Sequence, residues 1–393
     1  MKFFTFSWGN NYIAIRGLLR VLGHDLLKPA KITPLVIEDG VTHSPEFLCF
    51  SGKIVIGQIL AQIKKGARHF IFMSSKGIEA CRCADTGFFI ETLLKTDYPD
   101  LCTYRVGGNN QRESFANLQS HFPDCGKIKH LHAYFIFFLK LENIHRIERN
   151  CLKLRATAKR PDRIERLQQH YLNLTDTYQH PLSLLFICSC FYFRIFFLRQ
   201  KKEKPGVRIG IIGGEHIISE FHPILSRIKQ FAEQGVLFDW RSGFKAIAES
   251  SSMDHPLKGL KQIKRMQKTC SRYLHTETWG TELLSCTHAL DYSKEEFDGL
   301  LHVYSFGCLP QMSIKPAVLK ISKDKGIPVL SLPIGEKYND AAIDTRIEAF
   351  IDLLRQKKTK KSLNFAKSRR LFPEFCRMQA FRPRFLRIWK AGR

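Results

Sequence analysis

Three cysteines of this 393-residue chain share one local setting. Cys49 stands just before an amphipathic helical pattern that starts near Lys53. Cys81 falls in the loop between an apolar run ending at Met73 and a helical pattern from about Gly87. Cys308 sits in the turn SFGCLP, after the run GLLHVY that ends at Tyr304 and ahead of a helix near Ser313. In open α/β sheets, ligands bind outside the carboxyl ends of the strands, and helix N-termini there favour anions. Thiolates, and an anionic iron-sulfur cluster held by them, suit that address. Spacing adds nothing: 32 and 227 residues separate the three, and there is no CxxC or ferredoxin-like run. By spacing alone they read rather as small buried hydrophobes, as free cysteines often are.

The other chemistry-bearing residues form no comparable set. Cys83 is close enough to Cys81 to be a spare ligand or a bystander. Cys188 and Cys190 lie in an apolar run, and Cys102, Cys125, Cys151, Cys270, Cys286 and Cys376 share no context. Fifteen histidines are scattered without HExxH or zinc-finger spacing. Gly210 to Gly214 (GIIGG) ends a strand in the manner of a phosphate-binding turn. The full dinucleotide fingerprint and GxxxxGK[ST] are both absent.

Two blocks supply the elements that must position the thiols. In the first, residues 1–125, MKFFTFSWG reads as a first strand. Ile54 to Lys65 places Ile56, Ile59, Leu60 and Ile63 at helical spacing, Gly66 stops that helix, and His69 to Met73 reads as a buried strand. In the second, residues 206–355, strands are expected at Val207–Ile212, Gly299–Tyr304 and Ile327–Leu332. Helices are expected at Pro223–Glu233, Pro316–Lys325 and Ala341–Arg355. Alternating strands and helices imply parallel sheets covered on both faces. Residues 126–205 read as a helical insert, with helices at Phe135–Arg155 and Arg163–Leu174 and no glycine from 127 to 200.

With 62 Lys+Arg against 36 Asp+Glu the net charge is +26, and 44% hydrophobic residues exclude wholesale disorder. Half of that charge lies in the tail after the second block, residues 356–393 with Arg355, where Lys and Arg alternate with aromatics. Such a tail gives nonspecific phosphate affinity a physical basis. No nucleic-acid-binding fold signature accompanies it, so a solvated or partner-docking tail is expected and nucleic acid is not. Leu182 to Leu198 is apolar but short for a span, carries Arg194 and runs into RQKKEK at 199–204. It is expected to be a buried or interface helix and not a transmembrane span. Without an export signal the expected compartment is the cytoplasm, where thiols stay reduced.

At the cysteines the chain resembles a known family, the iron-sulfur proteins related to the 2-hydroxyacyl-CoA dehydratase component and to CoA-substrate-specific enzyme activases. The resemblance is carried by SPEFLCFSGK (Ser44 to Lys53), GIEACRCADTGFF (Gly77 to Phe89), RIGIIGGE (Arg208 to Glu215) and FDGLLHVYSFGCLPQ (Phe297 to Gln311). GIPVLSL (Gly326 to Leu332) and TRIEAF (Thr345 to Phe350) continue it in order, over about residues 30–355. It implies two Rossmann-like (flavodoxin-like) α/β lobes with a [4Fe-4S] or related double-cubane cluster between them, and places Cys49, Cys81 and Cys308 on the family's cysteine positions. It further implies low-potential electron transfer or reductive dehydration of an acyl-CoA, an ATP-hydrolysing activase partner and a possible homodimer. Two positions depart from the family pattern: Ser74-Ser75-Lys76 replaces a glycine-rich turn, and Gln311 replaces an acid. The alternatives from the residues themselves are a cluster-free α/β scaffold or binding module, or a nonspecific nucleic-acid binder through the basic tail.

Overall fold

Neighbouring apolar residues that must be buried on opposite sides define both sheets. In the computed structural model, which describes residues 1–72, 90–108, 111–158, 160–198, 206–220, 222–241, 256–274, 278 and 280–371, Phe3 joins one core cluster and Phe4 another. The strand that holds them, β1 (Lys2–Phe4), pairs with β2 (Asp25–Leu26) and β3 (His69–Phe72). With β4 (Cys102–Arg105) they make a parallel sheet ordered β2-β1-β3-β4. The second sheet repeats the plan with β5 (Val207–Gly213), β6 (Val236–Trp240), β7 (Gly299–Ser305) and β8 (Val329–Ile334), all parallel and ordered β6-β5-β7-β8. All seven residues of β7 are buried, as expected of a central strand covered on both faces. The two parallel-sheet lobes expected from the alternation of runs are therefore present.

In each lobe the strand order reverses between the first and third strands, which puts a crevice at the carboxyl ends of β1 and β3 and of β5 and β7. Helices α1 (Tyr12–Leu22), α2 (Pro34–Thr42) and α3 (Phe50–Ile63) cover the first sheet. A π-helical turn, Ile90–Leu94, and the short Lys95–Asp97 follow, then α4 (Gln111–His121). The expected helix from Gly87 thus begins, among the described residues, as a π turn at Ile90. The insert is three helices, α5 (Lys127–Arg155), α6 (Pro161–Thr177) and α7 (Pro181–Leu198), whose buried faces join Phe3 and α1 in one core.

The second lobe is covered by α8 (Glu215–Glu220), α9 (His222–Glu233), α10 (Pro256–Cys270), α11 (Gly280–Lys294), α12 (Leu309–Lys325) and α13 (Asp340–Leu371). Two helices differ from expectation. The α12 helix starts at Leu309 and not near Ser313, because Pro310 fits a first turn, where its missing N–H has no partner to lose. The α13 helix runs on to Leu371, well into the basic tail, since no glycine or proline interrupts the chain from Asp340 until Pro373.

The insert is tied to the second lobe through a buried carboxylate. Asp239 on β6 is fully buried and receives both oxygens' worth of Arg149, at 2.8 and 3.0 Å, with Lys153 and Arg241 each at 3.0 Å. Burial alone would raise this carboxyl. The Arg149 hydrogen bonds and the charges of Lys153, Arg149 and Arg241 outweigh it and hold the group well below the usual carboxylate range. Lys153 moves the opposite way to an ordinary ion-pair lysine. Its own burial and the two guanidiniums beat the carboxylate and lower its pKa, so the two arginines are the effective partners. Asp239→Asn is expected to cost about 3 kcal/mol, because three cations are left around a neutral amide. Urea unfolding at pH 7 checks this. The lost contribution belongs to the range above the unfolded aspartate value of about 3.9 and fades below it.

Candidate functional site

The first turn of α3 does not stay in its own lobe. Phe50 and Ile54 pack into the core of the second lobe with Ile209, Ile211 and Leu332. The Phe50 N–H donates to the Phe306 carbonyl at 3.0 Å, across the lobe boundary. Gly307 follows in the left-handed region (φ +77°), and a Cβ there would stand 3.3 Å from the Cys49 Cα. Only glycine tolerates both the conformation and the approach at no cost.

This junction brings two of the three sequence-selected cysteines together. Cys49 is the N-cap of α3 (φ −66°, ψ 156°) and Cys308 the N-cap of α12 (φ −71°, ψ 102°). Helix starts leave backbone N–H groups without helical partners and carry the positive end of the helix dipole. Two such ends therefore meet at one place. Cys49 is buried, Cys308 half-buried, and neither is in a disulfide. Burial pushes the Cys308 thiol up to about 12, against the pull of the Gln311 backbone N–H, with further upward pressure from Cys49 and Glu282. As an isolated thiol, Cys308 is protonated at neutral pH.

The third cysteine, Cys81, lies outside the described residues, as do Cys83 and the Ser74-Ser75-Lys76 departure. The described chain leaves β3 at Phe72, at the strand-order reversal of the first lobe, and resumes at Ile90. Among the described residues there is no group of three or more His, Cys, Asp or Glu arranged to hold a metal ion.

Several residues around the junction had no legible signal in the sequence. Glu282 comes from α11. Its carboxyl is raised by burial and accepts a hydrogen bond from Ser313 Oγ at 2.9 Å. A carboxyl thus reaches the first turn of α12 from another helix. Gln311 is instead a structural node: its Oε1 accepts from Ser285 Oγ and from His302 Nε2, both at 3.1 Å, and its Nε2 donates to the Thr281 carbonyl at 3.3 Å. These bonds anchor the first turn of α12, and with it Cys308, to β7 and α11. Lys53 pairs with Glu336 across the lobes, and Trp8 Nε1 donates to His216 Nε2.

The glycine turn of β5 is used for packing. A Cβ on Gly210 would strike the Tyr292 ring at 2.4 Å, and one on Gly213 would strike the Val303 carbonyl at 1.8 Å. The following helix, α8, is only six residues long and is met by Gly9 of the first lobe at the Ser219 carbonyl. Another thiol pair, Cys270 and Cys286, shares a hydrogen bond inside the second lobe's core; that bond and burial raise the Cys286 thiol, while the same bond lowers that of Cys270. No family model matches the chain, and no curated protein matches it.

His302 supplies a pH test of this architecture. It is fully buried, and burial lowers its pKa to about 4, with the Gln311 bond opposing and Lys315 assisting. The folded value lies below the unfolded one, so the unfolded chain takes up the proton first and stability falls as pH drops from about 6.5 toward 4. The loss attributable to His302 is about 3 kcal/mol over that window. In denaturant titrations His302→Asn, which keeps a donor but does not titrate, is expected to flatten the fall; an unchanged slope would contradict this assignment.

Proposed function

We propose that the protein is an iron-sulfur redox protein in which Cys49, Cys81 and Cys308 hold a [4Fe-4S]-type cluster between the two lobes. One observation carries the reading. Two cysteines far apart in sequence cap two helices that meet at the lobe junction. The donor set fits such a group: thiols at paired helix N-termini can be stabilised as thiolates by backbone N–H groups once metal replaces their protons. The high pKa of Cys308 means that loading releases a proton and is favoured by rising pH.

Cluster chemistry would supply one low-potential electron, tuned by burial, net charge and hydrogen bonds to sulfur. The chain's own part is to bury Cys49, to hold Cys308 through the Gln311 node and to place Glu282 beside it. The activity this reading points to is low-potential electron transfer, or reductive dehydration of an acyl-CoA supplied with electrons by an ATP-hydrolysing activase in the cytoplasm, and a homodimer is compatible with it. Outside the tail the rest of the chain still carries half of the net +26, most of it on the helical insert, which suits acidic partners or CoA phosphates.

The rival reading is a cluster-free α/β scaffold or binding module. It draws on the protonated, buried character of the Cys308 thiol. Anaerobic preparation with iron and sulfide, then metal analysis and EPR of the reduced protein, separates the two. The expected result is about four irons per chain and a reduced-cluster signal. Cys308→Ser and Cys49→Ser are expected to lose most of the iron, while Cys125→Ser keeps it. Equal iron in all four proteins would favour the scaffold.

A further inference from the structure

Two helices turn contrasting faces outward. The α7 helix seats Leu184, Ile187, Phe191 and Ile195 in the insert core as one buried stripe, while Phe186, Phe193 and Phe196 stand exposed. The expectation of a buried helix is therefore met only along the stripe. By length and composition α7 is the one helix among the described residues that could cross a membrane. The α10 helix has the opposite chemistry. It buries Ile263, Met266 and Cys270 in the second lobe's core. Away from that core it exposes Lys261, Lys264, Arg265 and Lys268. At 3.6 residues per turn these four lie within about a third of the helix circumference. The helix contains no Asp or Glu.

Among the described residues no acid pairs with any of the four cations, whereas other helices of the chain carry counter-charges one turn away, Glu142 for Arg146 and Asp162 for Arg166. Like charges three and four residues apart repel, so a merely solvated face interleaves signs. Just past the end of α10, Arg272 lies 3.6 Å from Asp324, itself between Lys323 and Lys325 in the last turn of α12. The stripe thus runs into a second turn that is mostly basic. Its composition decides what could cover it. A protein partner needs apolar or aromatic anchors at the contact, where lysine is depleted. A lipid surface needs apolar side chains that enter the headgroup boundary. The apolar residues of α10 from Lys261 onward are already spent in the core, and Gln262 and Ser271 complete its exposed side. A nucleic-acid backbone asks only for cations at short intervals. Along α10 they recur every three or four residues, about 5 Å apart.

We propose that the outer face of α10 docks the phosphate backbone of a nucleic-acid duplex, with Lys261, Lys264, Arg265 and Lys268 each meeting a phosphate and no base being read. Nothing in this depends on the cysteine site or on the basic tail. Fluorescence anisotropy of the full chain with labelled 20-bp duplexes of two unrelated sequences, each as DNA and as RNA, tests it over a range of KCl. The two sequences are expected to bind alike, and the tighter of DNA and RNA identifies the partner. Changing all four cations together, Lys261→Gln, Lys264→Gln, Arg265→Gln and Lys268→Gln, should weaken binding at least about tenfold at 0.1 M salt and flatten the log–log salt slope by about 3–4. The same loss of charge on the first lobe and insert, Lys31→Gln, Lys65→Gln, Lys127→Gln and Lys129→Gln, should weaken it less than about threefold. All eight side chains are exposed, and circular dichroism melts check the fold. If the α10 variant unfolds, Lys261→Gln with Lys268→Gln is read instead, with about half the change in slope. Three results would overturn the proposal: equal weakening in the two variants, no weakening in the α10 variant, or α10-dependent binding that is tighter to phosphatidylserine vesicles or to polyglutamate than to either duplex.

Discussion

The bond from the Phe50 N–H to the Phe306 carbonyl, with the Phe50 ring buried behind it, joins the start of a first-lobe helix to the loop that ends the second lobe's central strand. Almost everything at the junction follows from it. Cys49 precedes Phe50 and Cys308 follows Phe306 by two residues, so fixing one backbone contact fixes both thiols. Gly307 is the intervening residue, and its left-handed conformation turns the chain so that α12 begins at once. The first turns of two helices thereby become neighbours.

The insert holds the same two bodies from another side. Its longest helix, α5, packs on α1 through Ala133, Phe137 and Leu141, and on the second lobe through Leu152 and the Asp239 cluster. Asn10 of the first lobe also reaches it, donating to Glu148 Oε1 at 2.6 Å. Arg155 at its end bonds Glu233 of α9 at 2.8 Å. The lobes are thus connected by apolar insertion at the cleft and by charged clamps along α5. That division has a physical reason. A short helix start can be swallowed by a core, but a long helix crossing two surfaces must leave polar groups along its flank, and these find counter-charges.

Much of the architecture was legible in the chain because parallel strands covered on both faces read as continuous apolar runs. Val207 onward, Gly299 onward and His69 onward are of that kind, and all became strands. The local setting of Cys49 and Cys308, each at a helix start, was equally legible. Their meeting was not, since no local pattern records which loop a first turn will enter. The Asp239 cluster was hidden for the same reason: Arg149 and Asp239 are separated by most of the insert and by β5, α8 and α9 of the second lobe. The Gln311 node was not legible, because its partners His302 and Ser285 come from a strand and a helix whose register a sequence does not state. In α7 the uniform apolar composition concealed the seated stripe, for a helix apolar all round has no periodicity to read.

The insertion of Phe50 into the opposite lobe also has a cost in time. During synthesis, α3 leaves the ribosome about 250 residues before the loop that receives it, roughly 10–50 s at ordinary elongation rates. Through that interval Phe50 and Ile54 have no core to enter, and the first lobe carries an apolar knob meant for a socket not yet made. The nascent first lobe accordingly exposes aromatic surface of the kind that chaperones shield. The second lobe, when it emerges, completes its own core by capturing a piece that has been waiting.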